Sequence, residues 1–412
     1  MLHVHRQSHG RLGWLALPAW MLLVICPLLV GGCASGGPTG GPARRSGDEA
    51  ALRQIRVLIY NDKAPTTVAV AGSFRIVDAA GRALADTPSP MQITIAPQGD
   101  GLALNGRSMP TGCRIVPRTD GSLQIGSHPY HGSLTMLNRG GQLWLINNLD
   151  IEQYLPGVLT GELFPKFHIE AFKAQAVAAR TYALYQKFVN PHADYDVSNT
   201  TASMVYVGAG SDKAVQAVRD THGRVLTWGS ASGERIFCAY FSSTCGGVTS
   251  NVSNLLGAQV IPPLAGGVHC GGCAHATYYT WPAVRMSRQD LTQKLRSKYP
   301  QAFSGMGPIA RIDATESTPE GRAVWLVVSD DRGEQVRMRA SQFRLAVGPG
   351  LMRSTWCRID RSGESFVFSN GRGFGHGVGM CQWGADGLAR AGWNWKQILL
   401  HYYPKSHITR AY

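Results

Sequence analysis

The spacing of apolar residues changes at Asp150, and this change constrains the fold more than any other feature of the 412-residue sequence. From Gln54 to about Asn148, short apolar runs such as IRVLIY, TTVAVAG and QLWLINN are separated by Gly, Asn, Asp and Pro. Runs of this length and spacing predict antiparallel strands. After Asp150, apolar residues recur at helical spacing over 169–188, which predicts a long helix. The sequence therefore predicts an α+β fold with a β-rich N-terminal half.

The remainder of the chain mixes helical and strand-like patterns and contains a Gly-rich C-terminal loop. Residues 287–298, 380–391 and 395–402 have helical patterns, whereas ARIDATE, AVWLVVS and SFVFSN are typical of strands. The Gly/Pro-rich residues 34–48 cannot pack a core. We predict four regions: a signal peptide at 1–32, a flexible tether at 33–50, a β-rich part at 51–149, and a helix-containing core at 150–412 that carries an inserted Cys/His loop and the Gly-rich loop.

The first thirty residues have the pattern of an export signal, with two arginines and no acid before an apolar stretch at 12–30. A permanent transmembrane anchor is the alternative, but Pro18, Pro27 and the small residues that follow favour processing. The sequence VGGC is similar to a bacterial lipoprotein processing site, at which Cys33 becomes the lipidated first residue. We predict an exported lipoprotein, anchored to the membrane through Cys33 and facing the periplasm or cell wall. A plain cleaved signal remains the alternative.

The net charge of +14 is spread thinly along the chain, since only 16% of residues are charged and no run of five like charges occurs. A protein that binds nucleic acid clusters its basic residues on one face or along one helix. We therefore expect no nucleic-acid partner. A diffuse positive charge suits a polyanionic matrix such as the cell wall or a membrane surface.

Three strings carry the most specific signal in the sequence. The first is YLPGV at 154–158, followed by Glu162 and by KAQAVAARTYAL at 173–184; the second is AYFSSTCGG at 239–247. The third is GRGFGHGVGMCQWGADGLARAG at 371–392, which leads to HYYP. In this order the strings resemble the SpoIID/LytB family of cell-wall proteins, to which the stage II sporulation protein D type belongs, over roughly Gln54 to the end of the chain.

The resemblance implies a catalytic core that acts on peptidoglycan. Members of the family include lytic transglycosylases, which are carbohydrate lyases that cut the glycan strands, and proteins that enhance a cell-wall amidase. The catalytic acid of the family matches Glu162. The family usually has Pro two residues later, whereas here Phe164 takes that position and Pro165 follows. We expect a lytic transglycosylase; the non-enzymatic alternative is a wall-binding lipoprotein that enhances an amidase.

The neighbours of Glu162 suit a general acid. Leu159, Leu163, Phe164 and Phe167 would favour a protonated carboxyl if they close a pocket around it. The alternative is a glutamate at a helix start that meets backbone N–H groups or faces water.

The number of catalytic carboxylates separates two mechanisms. Ordinary glycosidases use two, and the spacing selects none of the possible second carboxylates, Asp150, Glu152, Asp194 and Asp196. A lytic transglycosylase needs one, because the 6-hydroxyl of muramic acid itself attacks the anomeric carbon.

Glycines alternate strictly from Gly371 to Gly379, but the pattern matches neither a dinucleotide fingerprint nor a P-loop. Alternating glycines let a backbone approach a ligand or another segment closely. His376 and Gln382 could bond sugar hydroxyl or acetamido groups, although a structural histidine in a tight loop is an equal alternative. With the residues that lie in the other matching strings, we predict these substrate-binding residues: Lys173, Arg180, Ser243, Gly375, His376 and Gln382.

Cys245 and the string HCGGCAH at 269–275 have the residue types and spacing of a tetrahedral zinc site. We predict one structural zinc held by Cys245, Cys270, Cys273 and His275, with His269 in reserve. Disulfides are the alternative in an exported chain, although seven cysteines, an odd number, remain once Cys26 and Cys33 are set aside. A further alternative makes Cys245 the nucleophile and His376 the base of a thiol peptidase.

Overall fold

The computed structural model describes residues 5–7, 46–118, 122–200, 203–229 and 233–412. The predicted signal peptide, Cys33 and the tether lie outside the described residues, apart from residues 5–7 and 46–50. Within the described residues, no helix combines the length and the apolar character that a membrane crossing requires.

The elements are numbered in chain order. The helices are α1 Ser46–Arg53, α2 Ile151–Glu162, α3 Ile169–Val189, α4 Asp212–Asp220, α5 Val252–Leu256, α6 Arg288–Lys298, α7 Pro300–Phe303, α8 Ala340–Val347, α9 Gln382–Arg390 and α10 Trp395–Tyr402, with 3-10 turns at Pro262–Leu264 and Gly271–Cys273. The strands are β1 His5–Gln7, β2 Gln54–Asp62, β3 Thr66–Ala71, β4 Phe74–Val77, β5 Ala83–Thr87, β6 Met91–Gln98, β7 Gly101–Leu104, β8 Arg107–Met109, β9 Arg114–Pro117, β10 Ser122–Ile125, β11 His128–Tyr130, β12 Ser133–Arg139, β13 Gln142–Asp150, β14 Val197–Ser198, β15 Arg224–Trp228, β16 Arg235–Ile236, β17 Phe241–Ser242, β18 Thr280–Trp281, β19 Val284–Ser287, β20 Ile309–Ser317, β21 Ala323–Asp330, β22 Gln335–Arg339, β23 Arg358–Ser362, β24 Ser365–Ser369, β25 Gly371–Arg372, β26 Met380–Cys381 and β27 His407–Arg410.

The chain divides into two compact units. We call residues 44–241 with 385–412 the host unit. The inserted unit is residues 242–384, and β1 groups with it. The change from strands to helices at Asp150 lies inside the host unit. The strands before Asp150 and the helices that follow it therefore belong to one compact unit.

Two antiparallel sheets fill the N-terminal part of the host unit. Their strand orders are β14-β2-β13-β12-β9-β4-β5, in which only the short β14 runs parallel to its neighbour, and β11-β10-β3-β6-β7-β8. Alternate residues are buried in several of these strands, as Val68 and Val70 of β3 and Leu143 and Leu145 of β13 are. This period of two is the one that the sequence runs predict. The predicted α+β class with a β-rich N-terminal half is confirmed.

The helices α2 and α3 follow the sheets. Asp150 caps α2, because its Oδ1 accepts a hydrogen bond from the amide of Glu152 at 2.8 Å. His168 caps α3, its Nδ1 accepting from the amide of Glu170 at 3.3 Å. Both helices contact α4, and α3 is buried along most of its length. This packing places Glu162 at the C-terminal end of α2.

The inserted unit has a core of its own. It contains the antiparallel sheets β1-β22-β21-β20 and β19-β24-β23 and the pair β18-β25. Helices α6 and α8 pack against these strands. The core side chains include Leu291, Leu295, Phe303, Leu326, Val328, Phe343, Phe366 and Phe368.

Candidate functional site

Two glycines of α2 let the backbone of residues 205–208 pass close to the helix near Glu162. A Cβ atom on Gly157 would lie 1.9 Å from the carbonyl oxygen of Gly208, and one on Gly161 would lie 2.9 Å from the carbonyl oxygen of Val205. Only glycine leaves room for the segment 205–208 to pass this close to the helix. As a result, the amide of Val205 donates a hydrogen bond to Oε1 of Glu162 at 2.7 Å.

The apolar residues near Glu162 in the sequence differ in their exposure. Leu159, Leu163 and Phe167 are buried, whereas Phe164 is 50% exposed and therefore does not close a pocket. Tyr154 is fully buried, and its hydroxyl has no hydrogen-bond partner within the described part of the chain. Burial raises the pKa of the Tyr154 hydroxyl well above its usual range, and the charge of Glu162 acts in the same direction. Glu162 thus accepts from a backbone donor, and the buried Tyr154 lies within range of its charge.

The other carboxylates of this region are engaged in ion pairs. Each pairs with an arginine at 2.5 to 2.8 Å, the four pairs being Asp150 with Arg53, Glu152 with Arg180, Asp194 with Arg139 and Asp196 with Arg56. Asp150 also caps α2. The geometry thus selects none of them as a second catalytic carboxylate.

The predicted substrate-binding residues of α3 have partners within the host unit. Nζ of Lys173 lies 2.9 Å from Glu170 and 3.1 Å from Asp220, which links α3 to α4. Arg180 is fully buried and makes two 2.8 Å bonds to Glu152. Its guanidinium cannot face a ligand in solvent, so the prediction that Arg180 binds substrate is corrected to a structural ion pair.

The alternating glycines bring the C-terminal loop against residues 242–245. Gly373, Gly375 and Gly377 have φ values of 76°, 102° and 75°, in the left-handed region that favours glycine. A Cβ on Gly375 would lie 2.8 Å from the Cβ of Ser242, and Phe374 exchanges backbone hydrogen bonds with Thr244 at 2.8 and 3.0 Å. Of the two readings of this pattern, close approach to another segment accounts for the glycines.

The remaining predicted binding residues lie in the inserted unit. Nδ1 of His376 accepts a hydrogen bond from the amide of Val378 at 3.0 Å, so the neutral ring carries its proton on Nε2. Gln382 is buried at the start of α9. The carbonyl of Ser243 accepts from the amide of Trp383 at 3.1 Å. Nδ1 of His376 is therefore engaged within its own loop, and Gln382 is buried.

Four buried cysteines of the inserted unit form a cluster that could hold a metal ion. Their Sγ atoms lie within 4.8 Å of one another, and the four are Cys245, Cys270, Cys273 and Cys381. His275, the fourth predicted ligand, is not among them: it is exposed, with its ring 5.1 Å from that of Trp383. The reserve ligand His269 is also exposed. Cys381 takes the fourth position because β26 brings it beside Cys245, whose amide donates to its sulfur at 3.3 Å.

The chemistry of the four thiols fits a soft divalent metal. Sγ of Cys245 and Sγ of Cys273 are 3.7 Å apart, beyond the roughly 2.05 Å of a disulfide, and none of the seven described cysteines forms a disulfide. Hydrogen bonds with Cys245 lower the pKa of both Cys270 and Cys273, whereas a hydrogen bond with Cys270 raises the pKa of Cys245 and burial raises that of Cys381. Amides at 3.3 Å from the sulfur of Cys381 are the kind of donor that supports a thiolate ligand.

The burial of Cys245 also bears on the thiol-peptidase alternative. Only 1% of this residue is exposed, and its sulfur faces three other thiols. A nucleophile must reach its substrate, so this placement argues against Cys245 as a catalytic nucleophile.

Comparisons with known proteins cover both units. Residues 139–228 match the family described as SpoIID, Stage II sporulation protein, and residues 269–379 match a domain of unknown function (DUF8618). The chain is 32% identical over 290 residues to an uncharacterized protein of Brachyspira hyodysenteriae, covering 70% of this chain and 74% of that one. It is 28% identical to the Stage II sporulation protein D of Bacillus amyloliquefaciens over 65% of this chain and 76% of the relative.

A third relative differs in length. The chain is 28% identical to the Amidase enhancer of Bacillus subtilis (strain 168), over 62% of this chain but only 40% of that protein.

Fold and site together define a two-unit α+β protein with a glutamate at the end of α2 and a separate cluster of four thiols. The matched segment 139–228 contains the whole of α2 and α3, including Glu162. The chain belongs to the SpoIID/LytB family.

Proposed function

We propose that the protein cleaves the glycan strands of peptidoglycan as a lytic transglycosylase, with Glu162 as its only catalytic carboxylate. The observation that carries the proposal is the ion pairing of the four alternative carboxylates, together with the backbone donor that holds Glu162. A site with one carboxylate fits a reaction in which no second acid or base has to activate water.

The proposed reaction uses Glu162 twice. The protonated carboxyl donates its proton to the glycosidic oxygen as the bond from that oxygen to C1 of muramic acid breaks. The 6-hydroxyl of the same sugar then attacks C1, and the carboxylate accepts the hydroxyl proton. The products are a free 4-hydroxyl on one fragment and a 1,6-anhydro ring on the other, and no water is consumed.

Substrate binding in this proposal rests on fewer residues than the sequence suggests. His376, Gly375 and Gln382 of the Gly-rich string and Ser243 of the string at 239–247 remain proposed contacts of the sugar. Lys173 stays a proposed contact only if a ligand displaces its carboxylate partners, Glu170 and Asp220. Arg180 is left out, for the reason given above.

The second candidate is the enhancement of a cell-wall amidase without cleavage. The similarity to the protein named Amidase enhancer favours it. In this reading Glu162 contributes to binding the glycan strand, and the partner is the amidase.

Two further assignments belong to the proposal. We propose zinc as the metal of the four-thiol cluster, because closed sites of four cysteines are typical of structural Zn²⁺. We also propose an exported lipoprotein anchored through Cys33, a location that fits a peptidoglycan substrate.

The test compares the purified full chain with Glu162→Gln on peptide-free glycan strands. Mass spectrometry of the products should find anhydro ends with wild type, and about 10²- to 10⁴-fold fewer with Glu162→Gln, which cannot deliver a proton. Glu49→Gln is the matched control, since Glu49 is an exposed glutamate of the host unit. It should act like wild type.

Two results would contradict the proposal. Equal activity of Glu162→Gln and wild type would exclude Glu162 as the acid. Absence of anhydro ends with wild type, together with binding to the strands and stimulation of an added amidase, would favour the enhancer reading instead.

A further inference from the structure

A fully buried arginine lies beside the four-thiol cluster without a carboxylate partner. Arg322 has an exposed fraction of 0% and forms no ion pair with any acid of the described residues. Arg288 of the same unit offers a contrast, because it is also largely buried but pairs with Asp331 and Glu364. A buried cation without a counter-charge is strongly destabilising.

The contacts of Arg322 direct its guanidinium to the cluster. One of its nitrogens, Nη2, donates to the carbonyl oxygen of Cys245. Its Cζ atom lies 5.5 Å from the ring centre of Trp356, and its Nε and Nη1 atoms have no hydrogen-bond partner within the described residues. A Cβ on Gly377 would lie 2.5 Å from Nη2, so the glycine is what lets the guanidinium occupy this place.

The negative groups around Arg322 are mainly sulfurs. Burial lowers the pKa of the guanidinium, and the opposing influence comes first from Cys245 and then from Glu320, Cys381 and Cys273. Glu320 is not within ion-pair distance, and its carboxylate accepts from the hydroxyl of Ser250. Glu320 is thus engaged elsewhere, and the bond to the carbonyl of Cys245 places the guanidinium beside a residue of the cluster.

A divalent metal with four thiolates carries a net charge of −2. In a buried site a nearby cation stabilises this negative charge, and the negative charge stabilises the buried guanidinium of Arg322. We infer that Arg322 is the positioning residue of a tetrathiolate centre, and that its charge stabilises the four deprotonated sulfurs around a divalent cation. The inference rests on the proposed metal site and adds to it a residue that binds no metal itself.

The inference links the metal centre to the Gly-rich loop. Arg322 donates to the carbonyl of Cys245, a proposed ligand, and lies beside Gly377, a loop residue whose amide donates a hydrogen bond to Oγ of Ser242 at 3.2 Å. Occupation of the centre would thus hold the loop that carries His376 in its observed conformation.

The experiment measures zinc affinity of the full chain by chelator competition, and the absorption of the Co²⁺-loaded protein. Arg322→Met removes the charge and should weaken zinc binding about 10- to 100-fold, a typical effect of residues behind a metal ligand. Arg322→Lys keeps the charge and should bind within about threefold of wild type. Arg288→Met is the matched control, and Cys381→Ser removes a ligand.

The supporting result is weak zinc binding and an altered thiolate-to-cobalt absorption in Arg322→Met, with Arg322→Lys and Arg288→Met close to wild type. Wild-type affinity in Arg322→Met, or equally weak binding in Arg322→Lys, would overturn the role of the charge. If the wild-type protein binds no metal even after zinc is added, the proposed metal site itself is wrong. The proposed glycan cleavage would not be contradicted by that result, because it is measured in a separate assay.

Folding of the variants is checked separately. If Arg322→Met does not fold, Arg322→Gln repeats the neutral change. If neither neutral variant folds while Arg322→Lys folds and binds zinc like wild type, the charge is required and the inference stands. If Arg322→Lys fails as well, the inference is wrong.

Discussion

Glu152 and Arg180 form an ion pair that joins α2 to α3. Arg180 is fully buried and the side chain of Glu152 is 11% exposed, with Tyr412 donating a further hydrogen bond to the carboxylate. Burial alone would raise the pKa of Glu152, but the charge and hydrogen bonds of Arg180 outweigh it and lower the pKa. The two residues therefore depend on each other for their charged states.

We predict that Glu152→Gln destabilises the protein by about 3–5 kcal/mol, because it leaves Arg180 as an uncompensated buried charge. Chemical denaturation, followed by circular dichroism, measures the change. Arg358→Gln is the control, since the side chains of Arg358 and its partner Asp360 are 70% and 43% exposed. An unchanged unfolding midpoint in Glu152→Gln would show that the pair contributes nothing net.

The same pair determines a pH dependence. The folded pKa of Glu152 lies below its ordinary value of 4.5, so the unfolded chain takes up the proton first as the pH falls. This contribution to stability is fully present above pH 4.5 and is lost as the pH falls through the lowered folded pKa. In Glu152→Gln this part of the acid sensitivity should disappear.

At the scale of elements, α2 is the helix that local pattern does not predict. Pro156 lies inside it and lacks the amide that would bond to residue 152, and two glycines follow. Tertiary packing outweighs these local preferences, because the glycines admit the backbone of 205–208 and the apolar face is buried. The geometry at Glu162 is a product of this packing.

We predict that Gly157→Ala destabilises the host unit by about 1–3 kcal/mol, or more, since the new methyl group would lie 1.9 Å from the carbonyl oxygen of Gly208. It should also move the Val205 amide away from Glu162 and reduce cleavage. Denaturation and the anhydro-end assay measure the two effects. Gly350→Ala, at a position with open space around it, should change neither. Wild-type behaviour of Gly157→Ala would refute this account of α2.

At the scale of the whole molecule, the division into units differs from the order of the sequence patterns. The host unit is discontinuous: β15 pairs with β27, and Arg224 lies opposite Arg410. Residues 242–384 between them form the inserted unit. The sequence of neither strand indicates this pairing, because the two strands are almost two hundred residues apart in the chain.

We predict that Cys33→Ser moves the protein from the membrane to the soluble fraction, because the hydroxyl cannot carry the thioether-linked lipid. Cell fractionation with immunoblotting measures it. Cys26→Ser is the control, as that cysteine precedes the predicted processing site and should leave fractionation unchanged. If Cys33→Ser remains with the membrane, an uncleaved helix or wall binding anchors the chain instead.

The sequence indicated three of the four cysteines of the cluster but not the fourth. The C-x-x-C spacing correctly indicated Cys270 and Cys273, and Cys245 was the nearest upstream candidate. Cys381 was missed, although it lies in the third matching string and the odd number of cysteines pointed to further roles. Proximity along the chain favoured His275, but folding placed that residue at the surface.

By itself, the sequence determined the features that depend on neighbouring residues: the alternation that buries Val68 and Val70, and the 169–188 helix, observed as Ile169–Val189. Both follow from local periodicity, because a strand or helix that buries one face repeats its apolar residues at a regular spacing. The tertiary structure alone decided that α2 is a helix, that Arg180 pairs with Glu152, and that Cys381 completes the cluster. Each of these depends on contacts between residues distant in the chain, whose free energy no local pattern records.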